Sequence, residues 1–150
     1  LFYVFILKKL KTTIFFKNKQ LLLRYLQHKY EYMTYKERAK EIYEMIAGGK
    51  MLEAFDKYYG EGVSMVDVGH GPAVVGKEAN RLREVAFINM IEEFHGMGVD
   101  SITSDESAGL TMIENWMDVT LKGIGRVNYV QVAVQRWEGD FIVDEKFYHK

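Results

Sequence analysis

The sequence predicts an α+β domain in which a curved antiparallel sheet wraps a long helix, with two further helices on the N-terminal side, and encloses a pocket. Three observations carry this. Apolar residues recur at helical spacing through residues 34–94, apolar and polar residues alternate through residues 99–148, and Gly-bearing turns separate the alternating runs. Helices followed by an antiparallel meander bury both apolar faces when the sheet curves around the helices.

The first helix is announced by Thr34-Tyr-Lys-Glu37, an N-cap with an acid three positions on, and by Ala39, Ile42, Tyr43 and Ile46. Gly48-Gly49 ends it. A second helix over residues 50–59 places Met51, Leu52, Phe55 and Tyr59 on one side, and a strand over residues 63–68 puts Val63, Met65 and Asp67 on one face. The long helix is expected over residues 77–94, with Leu82, Val85, Ala86, Ile88, Asn89 and Ile91 near its buried side and Gly96 and Gly98 as its stop. Strands follow at residues 99–104, 110–121, 127–137 and 141–148.

Residues 1–32 break from this pattern. They hold seven Lys or Arg against Glu31 alone, lack Gly, Ala, Ser, Asp and Pro, and draw 24 of their members from Phe, Ile, Leu, Lys, Asn and Tyr. Those six types are what AT-rich codons encode, so the basic leader is read as translated upstream sequence or as a disordered segment, with Met33 as the start of a domain spanning 33–150. The apolar run LFYVFIL is short for a membrane anchor, no small-residue cleavage site follows it, and the basic residues form no single helical face for nucleic acid or lipid. Neither a membrane nor nucleic acid is therefore expected as a partner. With no Cys, the chain has no thiolate nucleophile, disulfide or zinc knuckle, which fits the cytoplasm.

The stretch Asp67-Val-Gly-His-Gly-Pro-Ala-Val-Val-Gly-Lys-Glu78 invites a phosphate-loop reading and fails it. Glu78 stands where a magnesium-binding hydroxyl is needed, Pro72 lacks an N–H, and Val74-Val75 stiffens the cradle. Glu92-Glu-Phe-His95 has the Glu-x-x-His spacing of di-iron bundles, but as a single copy it is read as no metal site.

Three stretches carry a family resemblance: Ala54-Phe55 with Tyr58-Tyr59-Gly-Glu-Gly-Val63, Gly71-Pro-Ala-Val-Val-Gly-Lys-Glu78, and Val132-Ala-Val-Gln-Arg-Trp-Glu-Gly-Asp-Phe-Ile-Val-Asp-Glu-Lys-Phe-Tyr148. In order and spacing they resemble the SnoaL-like group of the nuclear-transport-factor-like cone fold, relatives of the ketosteroid isomerases and polyketide cyclases. The resemblance implies a cone-shaped barrel, a small, largely apolar ligand, no metal or organic cofactor, and a homodimer paired through the outer face of the sheet. It also implies isomerase- or cyclase-like proton transfer if the chain is an enzyme. The alternative is a non-catalytic ligand-binding or dimerisation module.

By the same comparison, Asp67 matches the isomerase general base, nine residues before Gly76, and Tyr43 matches the oxyanion donor. The second isomerase acid falls at Ala133, so steroid chemistry is not expected. Met65, His95, Glu145 and Phe147 complete the expected substrate contacts; a slip of one residue in the last strand would put Asp144, Lys146 and Tyr148 on that face instead. On its strand face Asp67 shares only apolar company, so desolvation would raise its pKa; the competing reading makes it a cap for the Gly69–Gly71 turn, with a lowered pKa. Trp116, opposite the apolar row Ile113, Asn115, Met117 and Val119, is expected on the outer sheet face.

If residues 1–32 lie outside the fold, a chain beginning at Met33 melts at the temperature of the full chain. A loss of several degrees in calorimetry would show that the segment packs on the domain.

Overall fold

A computed structural model describes Lys19, Leu21 and residues 33–149. The chain divides into two compact units, Leu1–Met33 and Thr34–Lys150, and the architecture below is that of the second. The reading of residues 1–32 falls outside the described residues, apart from Lys19 and Leu21, which are helical.

Helix α1 (Tyr35–Ala47) starts at the expected capping box: Thr34 accepts from the Glu37 amide, and the Glu37 carboxylate accepts from the Thr34 amide. Gly49, at φ +75°, turns the chain into α2 (Met51–Tyr58), which runs directly into β1 (Tyr59–Asp67). A short strand, β2 (Val74–Val75), folds back antiparallel on β1. Then come α3 (Lys77–Met90), β3 (Ile91–Asp105), β4 (Leu110–Leu121), β5 (Gly125–Glu138) and β6 (Phe141–His149). The six strands form one sheet in the order β2-β1-β6-β5-β4-β3. All neighbours are antiparallel except β1 and β6, so the sheet is mixed where the sequence suggested an antiparallel one.

Its inner face and the helices α1 and α2 share one core, built on Ala39, Ile42, Ala54, Phe55, Val63, Met65, Ile113, Ala133, Trp137 and Ile142. On β4 the inward row is Ile113, Asn115, Met117 and Val119, as the alternation implied.

Two expectations need correcting. The third helix stops at Met90, and Glu92–His95 belong to β3, paired with the far end of β4 through Glu93↔Thr120 and Phe94↔Val119. A strand as long as β4 leaves a row of backbone donors and acceptors, and pairing them outweighs the modest helix propensity of Glu-Glu-Phe-His. Gly96 and Gly98 therefore sit in mid-strand and do not stop a helix. They make room for Trp116, which half-covers them on the outer sheet face: a Cβ added at Gly98 would lie 2.6 Å from the indole nitrogen.

Helix α3 is also rotated from the expected face. Leu82, expected inside, is 64% exposed, and Asn80 is the buried residue of the helix. The Asn80 amide nitrogen lies within 2.9–3.3 Å of the carbonyls of Val74, Gly76 and Val63, pinning the start of the helix to β1 and β2. That anchor turns Arg83, Glu84 and Phe87 inward, at the same i, i+3, i+4, i+7 spacing an apolar face would use.

Gly98→Ala should displace the indole and cost about 1–3 kcal/mol. Denaturant unfolding should show the loss shrinking when Trp116→Ala is already present, the signature of a direct clash.

Candidate functional site

The curved sheet, α1, α2 and the inner side of α3 enclose a cavity of about 630 Å³. Register decides what faces it. On adjacent strands Met65 lies beside Glu145 and Asp67 beside Phe147, while Gln135 flanks Glu145 from the other side. Period-2 alternation then sends Met65, Asp67, Glu145, Phe147 and His149 to the same face.

Glu145 is the most buried acid of the cavity wall, 1% exposed. The Tyr59 hydroxyl donates to its Oε2 at 2.7 Å and the Gln135 amide donates to its Oε1 at 2.8 Å. The orientation of Gln135 is itself set. Trp137 Nε1, which can only donate, bonds the Thr111 hydroxyl at 3.0 Å, and that hydroxyl donates to Gln135 Oε1 at 2.9 Å. Burial pushes the Glu145 pKa up to about 7; the hydrogen bonds from Gln135 and Tyr59 oppose the rise, and the charges of Glu84 and Asp144 add to it. No cation pairs with it among the described residues.

Tyr43 lines the cavity from α1, and its hydroxyl accepts from the amide of Asn115 on β4 at 3.1 Å. Burial first, and the charge of Glu145 second, hold its phenol well above the ordinary pKa, so it stays a neutral donor. Glu84, on α3, is also raised, mainly by burial; Arg83 pulls it down and Asp67 pushes it up.

Asp67 faces the cavity but not alone. Arg83 Nη2 is 3.0 Å from its Oδ2, and His149 Nε2 is 2.7 Å from its Oδ1. Because the carboxylate only accepts, Nε2 carries the proton, and His149 Nδ1 is buried without a partner. The expected cation-free carboxylate is thus corrected: Arg83 reaches Asp67 because α3 is rotated from the face the apolar pattern suggested. His95 is corrected as well. It lies on β3, its Nε2 2.7 Å from the Thr120 hydroxyl, and is not part of the cavity wall. Met65, Phe147, Glu145, Tyr43 and Asp67 are all brought together there. The residues that sequence reasoning missed are Glu84, Arg83, Asn115, Gln135 and Tyr59 in its hydrogen-bonding role. For the α3 pair the signal was present, since Asn80, Arg83, Glu84 and Phe87 form a helical face of mostly polar residues.

Lys77, the lysine of the rejected phosphate loop, donates to the Asp56 carbonyl at 2.8 Å.

The model of the SnoaL-like domain matches residues 33–149. The chain belongs to that family. Among solved structures, it is similar to a protein from Mesorhizobium loti named as a SnoaL-like polyketide cyclase and carbohydrate phosphatase, at 28% identity and TM-score 0.67, over 77% of this chain and 99% of that one. It shares its fold with a protein of ketosteroid isomerase-like fold from Catenulispora acidiphila in complex with trimethylamine, at 16% identity and TM-score 0.62, over 75% and 84% of the two chains. It shares it also with an LEH-like epoxide hydrolase from M. tuberculosis, at 12% identity and TM-score 0.63, over 77% and 82%. No curated protein matches the chain. Among the described residues, no helix of this SnoaL-like protein is long and apolar enough to cross a membrane.

The raised pKa gives a signed expectation. The folded state holds the Glu145 proton up to about pH 7, whereas the usual value is 4.5. Stability from this group is present below 4.5 and is lost as pH rises through 7, by up to about 3 kcal/mol. Glu145→Gln removes the dependence, so urea unfolding should find the variant more stable than the wild type at about pH 8 and near parity at about pH 5.

Proposed function

We propose that the cone binds a small, largely apolar molecule and exchanges a proton with it through Glu145, in the manner of a cofactor-independent isomerase or cyclase. The observation that carries this reading is the Glu145 carboxyl: facing a cavity, buried, held by two donors and paired with no cation, it has the desolvated setting that the sequence assigned to Asp67. A carboxyl whose pKa lies near 7 is suited to both halves of a proton transfer at neutral pH. The carboxylate takes a proton from a carbon next to a carbonyl, and the C–H pair moves into the enolate. Tyr43, whose own proton meets no acceptor among the described residues, donates to the enolate oxygen. Glu145 then returns the proton to the same carbon or to another of the conjugated system.

Asp67 takes a different part from the one its position in the sequence suggested. Arg83 and His149 both pair with it, and it holds the two side chains at the cavity wall. Met65 and Phe147 supply apolar contact.

The same reading extends to a cytoplasmic homodimer. Outside the sheet, half-buried Trp116 stands opposite Val130, and Val132 stands opposite Tyr148. Val130, Val132, Tyr148 and nearby Met112 are between 37% and 47% exposed. An apolar row of this kind favours pairing of two copies face to face.

The test is deuterium uptake. Incubated with an enolisable cyclic ketone such as tetralone in heavy water, the protein should accelerate exchange of the acidic protons over buffer. Glu145→Gln should abolish the acceleration and Tyr43→Phe should reduce it by about 10–100-fold. Binding of the ketone without accelerated exchange would leave a non-catalytic ligand-binding module.

A further inference from the structure

The charges and rings of the cavity wall do not suit every small molecule equally. Six aromatic side chains face the space: Tyr43, Phe55, Tyr59, Phe87, Tyr129 and Phe147. Among them stand three carboxyls, Asp67, Glu84 and Glu145, against one guanidinium, Arg83, and the imidazoles of His70 and His149. Arg83 and His149 are both engaged by Asp67. That leaves Glu84 and Glu145 without an ion pair among the described residues, inside a wall whose remaining side chains are mostly apolar.

A buried carboxylate with no counter-charge is unfavourable unless something neutralises it. A proton does so in the empty site, and an occupant of opposite charge does so better. An anionic ligand would add to the excess, and a neutral one would leave it in place. A cation gains from the carboxylates and from the ring faces, whose negative quadrupole attracts a positive centre most when water is excluded.

The same geometry selects the kind of cation. Both oxygens of Glu145 already accept hydrogen bonds, from Tyr59 and Gln135, and the described residues contain no group of three or more His, Asp or Glu able to hold a metal ion. A hard metal ion needs several free oxygen or nitrogen ligands. A weakly hydrated nitrogen-centred cation needs only charge and ring faces at van der Waals distance.

We infer that the cone is built for an organic cation, an alkylammonium group carried on a largely apolar body, seated between the aromatic wall and the Glu145 and Glu84 carboxyls. This rests on the reading of the cavity as a ligand site and adds the ligand's charge to it. Binding stabilises the Glu145 carboxylate, so a proton leaves as the cation enters. The titratable groups acting on Glu145 are Tyr43, Tyr59, Glu84 and Asp144, and none of them carries positive charge to pre-empt the effect.

Three probes of one shape separate the possibilities: choline, its neutral carbon isostere neohexanol, and the tert-butylacetate anion. Calorimetry on the full chain at about pH 8 should find choline bound about tenfold or more tightly than neohexanol, a difference within the range of buried cation–ring attraction, and no binding of the anion. Glu145→Gln should remove most of the preference and Glu84→Gln part of it. If the Glu145 variant does not fold, wild-type titrations of choline in two buffers of different ionisation enthalpy near pH 7 serve instead, and should show proton release. Equal or weaker binding of choline, preference for the anion, absence of choline binding, or uptake in place of release would each overturn the inference. The ketone-exchange experiment is independent of all four, so the proton-transfer reading can stand while the charge preference falls.

Discussion

A carboxylic acid buried in the wall of a cavity constrains what packs around it. Glu145 enters the core on β6, and its burial is tolerable because β1 and β5 flank that strand with donors, the Tyr59 hydroxyl from one side and the Gln135 amide from the other. The Gln135 amide could present either end. It presents nitrogen because Thr111 gives its hydroxyl proton to the amide oxygen, and Thr111 does so because the Trp137 indole donates to it. An indole N–H has no acceptor role, so one end of the chain of bonds is fixed in direction and the rest follow. Trp137 is thus a core residue whose polar edge sets the surroundings of a carboxyl three hydrogen bonds away.

The parallel pairing of β1 with β6 is the other half of the arrangement. It lines up Met65 with Glu145 and Asp67 with Phe147, so that two segments far apart in sequence present one continuous wall. Asp67 and Glu145 share that wall yet differ in company: the first meets Arg83 and His149, the second meets only neutral donors. Two carboxyls in one cavity thereby have unlike surroundings, and burial raises the pKa of Glu145 to about 7.

Much of the fold was legible in the sequence because it is written in periodicity. The capping box at Thr34 and the inward row of β4 appear where local rules place them, and a helix does begin at Lys77. What was not legible depends on tertiary partners. The alternation places β4 at residues 110–121, but not the segment that pairs with its far end and so limits α3, and Gly96 and Gly98 look like helix stops until the indole that needs their bareness is known. The rotation of α3 was missed for a more instructive reason. Its inward face is polar, so apolar periodicity points the wrong way, and the helix is oriented by Asn80 reaching three backbone carbonyls. Glu145 was assigned to the pocket through the family resemblance, and the lack of a cation beside it among the described residues, like the presence of Arg83 beside Asp67, is a matter of assembly.

The place of β6 in the sheet has a consequence for how the chain comes together. It is the last of the described strands in sequence, yet it lies in the interior of the sheet, between β1 and β5. Until it arrives, β1 with its hairpin partner β2 and the β3–β5 meander are two separate pieces of sheet, each with an open edge. On a ribosome making the chain from its N-terminal end, neither piece can pair its β6-facing edge before residues 141–149 have been synthesised and have cleared the exit tunnel. The chemistry of the cavity and the closure of the fold therefore wait on the same nine residues, and those waiting edges are where a chaperone would find the nascent protein most in need of cover.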